Sequence, residues 1–481
     1  MANAADLEQR LRAELPPRAI VTDPAAIAPW LVDWRGRYSG TAALMLEPAS
    51  TAEVAAIVRA AAALGVPLVP QGGNTSMVGG ATPPQGGGAA ILSLRRMAAI
   101  RSLDARGRIA VVEAGVVLDT LHDAAAAAGR RFPLTLGAHG SATIGGLVST
   151  NAGGTQVIRH GTMRGLVAGV EAVLPDGEIF DGLAALKKDN RGYDLTQLLI
   201  GAEGTLGIVT AAALRLRPAV VARAAAWVGV RSPGHAMALL RRFADATDAV
   251  ESFELLPHGS LAAVLAHVPG TRSPLIGDHA WHVLVELGTE SLAAEPPAVT
   301  IERVLAAALE AGEIADAAVA ASGAQADAFW RIRDSISDAE RASGPAVQHD
   351  ISVPVEAMPR FMMEAAAAAE ARFPGTRASG FGHLGDGNVH FHVRAPAGAA
   401  RDLWYAEEAP AITRFVHDLV VRAGGSISAE HGIGQMKVDE LARLGPPARL
   451  HAMAAIKRAL DPDGIMNPGK LVALAPSRPS E

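Results

Sequence analysis

The sequence predicts an α+β fold in three segments: a turn-rich domain over 1–218, a second domain over 219–423 and a short helical segment over 424–481. Three observations carry this expectation. The 481 residues exceed what a single core organises, and at roughly 150 residues per domain they divide into two or three. Up to Pro218 short apolar runs alternate with glycine-rich turns, whereas beyond it longer Ala-rich helical runs alternate with strands. Hydrophobic residues make up 49% and charged residues 19%, the balance of a chain that buries a core.

Taken in order, residues 7–15 carry a short amphipathic helical pattern, and Thr51–Gly65 reads as a helix that starts near Ser50 and stops at Gly65. Val66–Pro70 follows as a strand, and Ala89–Leu94, Ile109–Val117, Val167–Leu174 and Gly207–Leu216 continue the β-like runs. Past Pro218 the helical runs are His235–Ala246, Val299–Ala311, Gln325–Ser343 and Pro359–Arg372, with a strand at Ala280–Leu287. No internal repeat is visible.

Composition removes several classes of function. With no cysteine there is no disulfide framework, iron–sulfur cluster, thiolate zinc site or thiol nucleophile, so a metal must sit on His and carboxylate. A net charge of −6 without a basic cluster argues against nucleic acid as a partner. The acidic opening Met1-Ala-Asn-Ala-Ala-Asp-Leu-Glu8 lacks the basic charge of a secretion signal, and no apolar run approaches the ~20 residues of a membrane span. A cytoplasmic location without an integral membrane segment is the expectation.

Pro70-Gln-Gly-Gly-Asn-Thr-Ser-Met-Val-Gly-Gly80 directly follows a predicted strand, and its small residues let backbone N–H groups converge on an anion such as a pyrophosphate. It matches neither G-x-G-x-x-G nor a Walker loop, so neither a nicotinamide Rossmann site nor a P-loop is indicated. Leu136-Gly-Ala-His-Gly-Ser-Ala-Thr-Ile-Gly-Gly146, Ser149-Thr-Asn-Ala-Gly-Gly-Thr155 and Arg159-His-Gly161 then crowd small residues closely enough to suggest backbone wrapped around a large planar ligand. Gly201-Ala-Glu-Gly-Thr-Leu-Gly-Ile-Val-Thr210 is a further turn leading into a strand.

Together with Asn467-Pro-Gly-Lys470, these motifs resemble the FAD-linked oxidases of the vanillyl-alcohol oxidase type. More narrowly, the chain is similar to the group of D-2-hydroxyglutarate dehydrogenases, D-lactate dehydrogenases and glycolate oxidase subunits, from about residue 20 to 470. The resemblance implies a two-subdomain FAD-binding domain, a substrate-binding cap with an antiparallel sheet, and a C-terminal segment returning to the FAD domain. It implies Gln71, Gly72, Gly73, Asn74, Thr75 and Gly79 at the FAD pyrophosphate. Gly140, Ser141, Gly145, Gly146, Asn151, Glu203, Gly204, Ile208 and Asn467 would line the rest. Some relatives tether the flavin through a His in the first loop; Asn74 stands after Gly72-Gly73 here, which implies non-covalent FAD.

Gly382-His-Leu-Gly-Asp-Gly-Asn-Val-His-Phe-His-Val393 carries the second chemical signal. A two-residue turn at Asp386-Gly387 predicts a hairpin with His383 directly opposite His390, close enough to share a metal ion, and His392 next along the same face. Glu430-His431 offers a carboxylate and an imidazole at a Gly-bounded turn, so His383, His390 and Glu430 form a candidate catalytic metal set. In the resembled dehydrogenases these three positions hold a divalent, zinc-like ion, and that of His431 carries the base. Phe329–Ser337 reads as one helix that presents Arg333 and Ser337 together at i, i+4, and the resemblance implies that they bind substrate, with Asn388 and His392 adding polar contacts.

Two departures matter. Where the hydroxyglutarate enzymes carry a Lys this chain has Gln348, and His392 stands where they tend to have Asn. A lost fixed cation weakens the hold on a dicarboxylate and favours a monocarboxylate such as D-lactate. The implied activity is FAD- and metal-dependent oxidation of a D-2-hydroxy acid, with electrons leaving to an electron-transfer flavoprotein, a quinone or a cytochrome. A homodimer is compatible with it. Two alternatives stay open: a flavin subunit of a larger glycolate-oxidase-type complex, and a metal-dependent hydrolase in which the glycine loops are structural.

Overall fold

The computed structural model describes residues 4–474; residues 1–3 and 475–481, the ends of the first and third expected segments, lie outside them. The chain divides into two compact units, one of Met1–Gly153, Thr162–Pro218 and Glu430–Glu481 and one of Gly154–Gly161 and Ala219–Ala429. Both are α+β, as the sequence predicts.

The first unit holds two main sheets. Ile20–Val21, Met45–Leu46, Ala90–Ser93 and Leu68–Gln71 lie side by side in a four-stranded mixed sheet, and the helix Thr51–Leu64 packs into its core. Local chemistry fixes that helix at both ends. Ser50 Oγ accepts from Glu53 N at 3.2 Å while the Glu53 carboxylate accepts from Ala49 N at 2.7 Å, and Gly65 closes the helix in the left-handed conformation. The second sheet is antiparallel, in the order Ile100–Asp104, Ile109–Glu113, Ile208–Arg215, Val167–Val173, Ile179–Asp181.

The C-terminal residues close onto this unit. Leu68 N donates to Ile465 O at 2.8 Å and Asn467 N to Leu68 O at 2.9 Å, extending the first sheet at its Leu68–Gln71 edge. The buried Lys457 ammonium reaches Thr205 O at 2.7 Å and Met466 O at 2.9 Å and pairs with Asp461.

The second unit is a seven-stranded antiparallel sheet among the described residues. Its order is Asp316–Val319, Ala222–Val230, Trp281–Thr289, Val250–Pro257, Arg377–His383, Asn388–Arg394, Ala346–Ser352. Strand alternation sorts its residues. Phe253, Leu255, Val389, Phe391, Val393 and Ile351 face a large apolar layer that also takes the helices Pro233–Ala246, Pro297–Glu310, Met358–Arg372 and Ala409–Arg422. On the other face, Trp227, Leu284 and Phe381 pack with the helices His258–His267, Gly323–Asp334 and Ile336–Ala342. Each large side chain so buried contributes about 1.5–3 kcal/mol, which makes the sheet a stiff platform.

Two sequence expectations are corrected here. The helical run 325–343 is two helices, Gly323–Asp334 and Ile336–Ala342, divided at Ser335 (φ −79°, ψ −6°). Serine hydrogen-bonds readily to nearby backbone and favours such interruptions, and the break keeps Phe329, Ile332, Ile336 and Ala339 all within the apolar layer. Ser337 therefore lies on a different helix from Arg333 and is exposed. The hairpin register also differs: His383 opposes Asn388, and His390 opposes Phe381. The connection is the four-residue loop 384–387, in which Asp386 Oδ1 accepts from Asn388 N at 3.0 Å. Gly387 is needed there for a φ of +80° and because a Cβ would lie 2.2 Å from Val353 O.

Candidate active site

In the first unit the glycine motifs, distant in sequence, form one surface. An added Cβ on Gly72 would lie 2.1 Å from Thr143 Oγ1 and one on Gly73 1.8 Å from Ser141 O, so the first loop lies directly on the Gly140–Thr143 turn. Gly145 meets Ala114 Cβ at 2.6 Å, and Gly204 meets Pro70 Cγ at 2.4 Å. Gly79 takes a φ of +67° against Tyr38 and Gln435, while Gly146 opens the following helical turn, Ile144–Thr150. Asn151 ends that turn in the left-handed conformation, and its Oδ1 accepts from Arg164 N at 2.9 Å.

Polar side chains tie these loops together. Gln71 Nε2 donates to Trp30 O at 3.1 Å and Ala81 O at 2.9 Å, and Asn74 Nδ2 to Val32 O at 2.9 Å. Thr75 stays half-buried beside them. Glu203 does not face outward as a free carboxylate. It accepts from Ile433 N at 2.8 Å and Gly434 N at 2.7 Å, and burial pushes its carboxyl up against the lowering effect of those two bonds. Asn467 Nδ2 donates to Gly80 O at 3.0 Å and Glu203 O at 2.7 Å, and Ile208 begins the strand that follows, fully buried. Glu430 and His431 lead into the Ile433–Gly434 turn that Glu203 holds, both half-buried.

This surface suits a large polar cofactor. Gln71 Oε1, Thr143 Oγ1 and Asn467 Oδ1 are buried yet have no hydrogen-bond partner within the protein. A cleft of about 320 Å³ opens between Trp30, Gly73, Val116, Ser141 and Thr143, and the Arg95 guanidinium stacks 3.5 Å over the Trp30 ring at its wall.

In the second unit the side chains, not the backbone, carry the chemistry. The register places Glu254 opposite His383, and Asp350 opposite His390, with Asn388, His390 and His392 alternating onto the same face. The His383 and His390 rings are 5.6 Å apart as diagonal neighbours, so the register correction keeps their convergence. Asn388 Nδ2 donates to Asp350 Oδ1 at 2.9 Å and Ile351 O at 3.0 Å, leaving Oδ1 without a partner.

Glu254, which the sequence reading did not single out, organises this cluster. It is 1% exposed; Oε1 accepts from His383 Nδ1 at 2.7 Å and from Ser252 Oγ at 2.8 Å, and Oε2 from Arg333 Nε at 3.0 Å. Burial pushes its carboxyl up, but Arg333 and His383 outweigh burial and hold it well below the usual carboxylate range. An ionised carboxylate on Nδ1 fixes the ring as the Nδ1–H tautomer, so the lone pair is on Nε2, 3.1 Å from Arg333 Nη2. The available signal was an acid inside the apolar run Val250-Glu-Ser-Phe-Glu-Leu-Leu256, which a strand can bury only when paired. Arg159 and His160, in the third small-residue cluster, belong to this unit and pair with Glu251.

The comparisons agree with the geometry. Residues 42–182 match the FAD binding domain family and residues 221–471 the C-terminal domain of the FAD linked oxidases. The chain belongs to the FAD-linked oxidase family and is an FAD-dependent oxidoreductase. It is 36% identical over 456 residues to D-2-hydroxyglutarate dehydrogenase, mitochondrial, of Arabidopsis thaliana, covering 94% of this chain and 79% of that protein. It is 35% identical over 461 residues to D-2-hydroxyglutarate dehydrogenase of Xanthomonas citri pv. viticola, covering 96% of each. Its fold is similar to that of p-cresol methylhydroxylase with substrate bound, at a TM-score of 0.71 and 16% identity over 97% of this chain and 96% of that one. An FAD binding domain followed by the C-terminal domain of the FAD linked oxidases leaves no ground for the hydrolase alternative. Among the described residues no helix is long and apolar enough to cross a membrane.

Proposed function

We propose that the chain oxidises a D-2-hydroxy acid to the 2-oxo acid and passes the electrons to an acceptor other than NAD. The observation that carries this is the Glu254–His383–Arg333 cluster beside His390, within an FAD-linked oxidase chain whose relatives are named D-2-hydroxyglutarate dehydrogenases.

In this reading His383, His390 and Glu430 would be the donors to a divalent, zinc-like cation. A carboxylate that accepts from Nδ1 and so puts the lone pair on Nε2 is the usual support of a metal-ligating imidazole. When bound, FAD supplies the acceptor for the α-hydride and the cation makes the substrate hydroxyl more acidic. The residues do the rest. Arg333 would hold the substrate carboxylate, with Asn388 and His392 as further polar contacts, and His431 would take the hydroxyl proton. The motifs Gln71–Thr75 with Gly79, Gly140–Ser141, Gly145–Gly146, Asn151, Glu203–Gly204, Ile208 and Asn467 hold FAD without a covalent tether.

Anaerobic mixing of the purified protein with a panel of D- and L-2-hydroxy acids tests this. Bleaching of the flavin by D-acids, loss of bleaching after chelation and its return with zinc are expected, whereas a flavin that no 2-hydroxy acid reduces overturns the reading. Turnover by the isolated chain with an artificial dye separates it from a flavin subunit that needs partners.

A further inference from the structure

We propose that the Glu203 side chain is a positioning residue for the reaction: it fills a backbone anion nest at Gly432–Gly434 and so sets the turn that carries Glu430 and His431, instead of contacting FAD. The inference rests on the roles given to Glu430 and His431 above, and it leaves the backbone of Glu203–Gly204 where that reading puts it. All the residues concerned belong to the first unit. Gly432 (φ +81°) and Gly434 (φ +52°) are left-handed on either side of Ile433, and a backbone that alternates hand in this way turns successive N–H groups toward one side, where an anion fits. Both positions need glycine, because a Cβ on Gly432 would lie 2.8 Å from Glu203 Oε1 and one on Gly434 2.3 Å from Val78 O. The two N–H groups do converge on an anion: Ile433 N donates to Oε1 of Glu203 at 2.8 Å and Gly434 N to Oε2 at 2.7 Å. A nest of this kind is otherwise a phosphate site. Here the chain supplies the anion itself, from 230 residues away and 7% exposed, which closes the nest to the cofactor.

Glu203 is itself held on both sides of its Cα. Its N–H donates to Ser149 O at 2.7 Å and its carbonyl accepts from Asn467 Nδ2 at 2.7 Å. Its φ of +52° is strained for a residue with a side chain, and such strain persists only where the surroundings over-determine it. The far side of the turn is fixed separately, by Gln435 N and Met436 N donating to Val78 O at 3.1 and 3.2 Å. Glu203 fixes the near side, next to Glu430 and His431. Bonds from N–H groups to a carboxylate are about twice as strong as neutral ones, and removing this carboxylate leaves two buried N–H groups unpaired. A turn loosened on that side misplaces both the donor carboxylate of Glu430 and the base, and proton transfer and metal binding both depend on sub-ångström placement.

The test uses Glu203→Gly, which suits the left-handed backbone and empties the nest. Zinc affinity, read by competition with a chromophoric chelator, and the rate constant of flavin reduction by a D-2-hydroxy acid in the FAD-loaded enzyme are each expected to fall about 10–100-fold. FAD affinity, read by fluorescence as the flavin-free protein is reconstituted, is expected to stay unchanged. Sodium formate, whose carboxylate is small enough to enter the emptied nest, is expected to restore most of both losses, and sodium chloride at the same ionic strength is not. Glu203→Gln, close in size but with a single acceptor oxygen, is expected to give a smaller loss in the same two measurements, and it carries the test if the glycine variant does not fold. A fall in FAD affinity in step with zinc affinity overturns the inference alone. So do zinc affinity and rate unchanged at a retained melting temperature, or losses in the glycine variant that formate leaves in place. A wild type that neither binds zinc nor is reduced by any 2-hydroxy acid overturns the proposed function and the inference with it.

Discussion

In the first unit the candidate ligand surface is made by leaving side chains out, and in the second by burying charged ones. Gly72, Gly73, Gly145 and Gly204 each stand where a Cβ would come within 2.6 Å of a neighbour, so loops far apart in sequence approach backbone to backbone. Glu254, Arg333 and His383 do the reverse: they hold an ionised cluster inside a sheet face whose other side is apolar. The contrast shows two routes to preorganisation. Steric closeness positions N–H groups without electrostatic cost, while a buried ion cluster stays in place only as long as every member is paired.

The largest expected effect breaks the first route. Gly73→Val sets a side chain against the Ser141 carbonyl, which cannot move without moving the turn. Flavin content per protein should fall about tenfold or more, and activity with it. A fully yellow variant would show that the loop does not approach the cofactor. Next, Glu254→Ala leaves Arg333 and His383 without their carboxylate; turnover should fall about 10–100-fold while flavin content stays normal. Equal loss of flavin and turnover would erase the distinction between the two units.

The smallest effect concerns a charge misplaced in the first unit. Lys470 is 3% exposed, and burial pushes its pKa down to about 8. Between about pH 8 and its ordinary value near 10.5 the unfolded chain holds a proton that the folded chain has released, so stability from this group rises with pH. Below pH 8 both states are protonated and the full desolvation cost applies. Lys470→Met should therefore raise stability at pH 7, by on the order of 3 kcal/mol, with the gain shrinking toward pH 10. Thermal melting across that range checks it; a pH-independent difference would assign Lys470 another partner.

Local signals were legible where they act locally. Ser50, Glu53 and Gly65 mark the helix ends, and the glycine motifs mark the loops. The convergence of His383 and His390 was legible for a subtler reason. The connection is two residues longer than the predicted turn, yet a register shift of two preserves the face because side chains alternate with that period. The separation of Ser337 from Arg333 was not legible, since the break at Ser335 answers to packing over the sheet rather than to helical spacing.

By itself the sequence determined the fold class and the residue types available for chemistry, because glycine runs, strand alternation and the absence of cysteine act through short-range rules. Only the tertiary structure decided the partners. Glu254 lies 129 residues from His383, and Glu340 reaches His392 from a different element. Which buried charge meets which counter-charge depends on strand order and helix placement, and no local pattern encodes either.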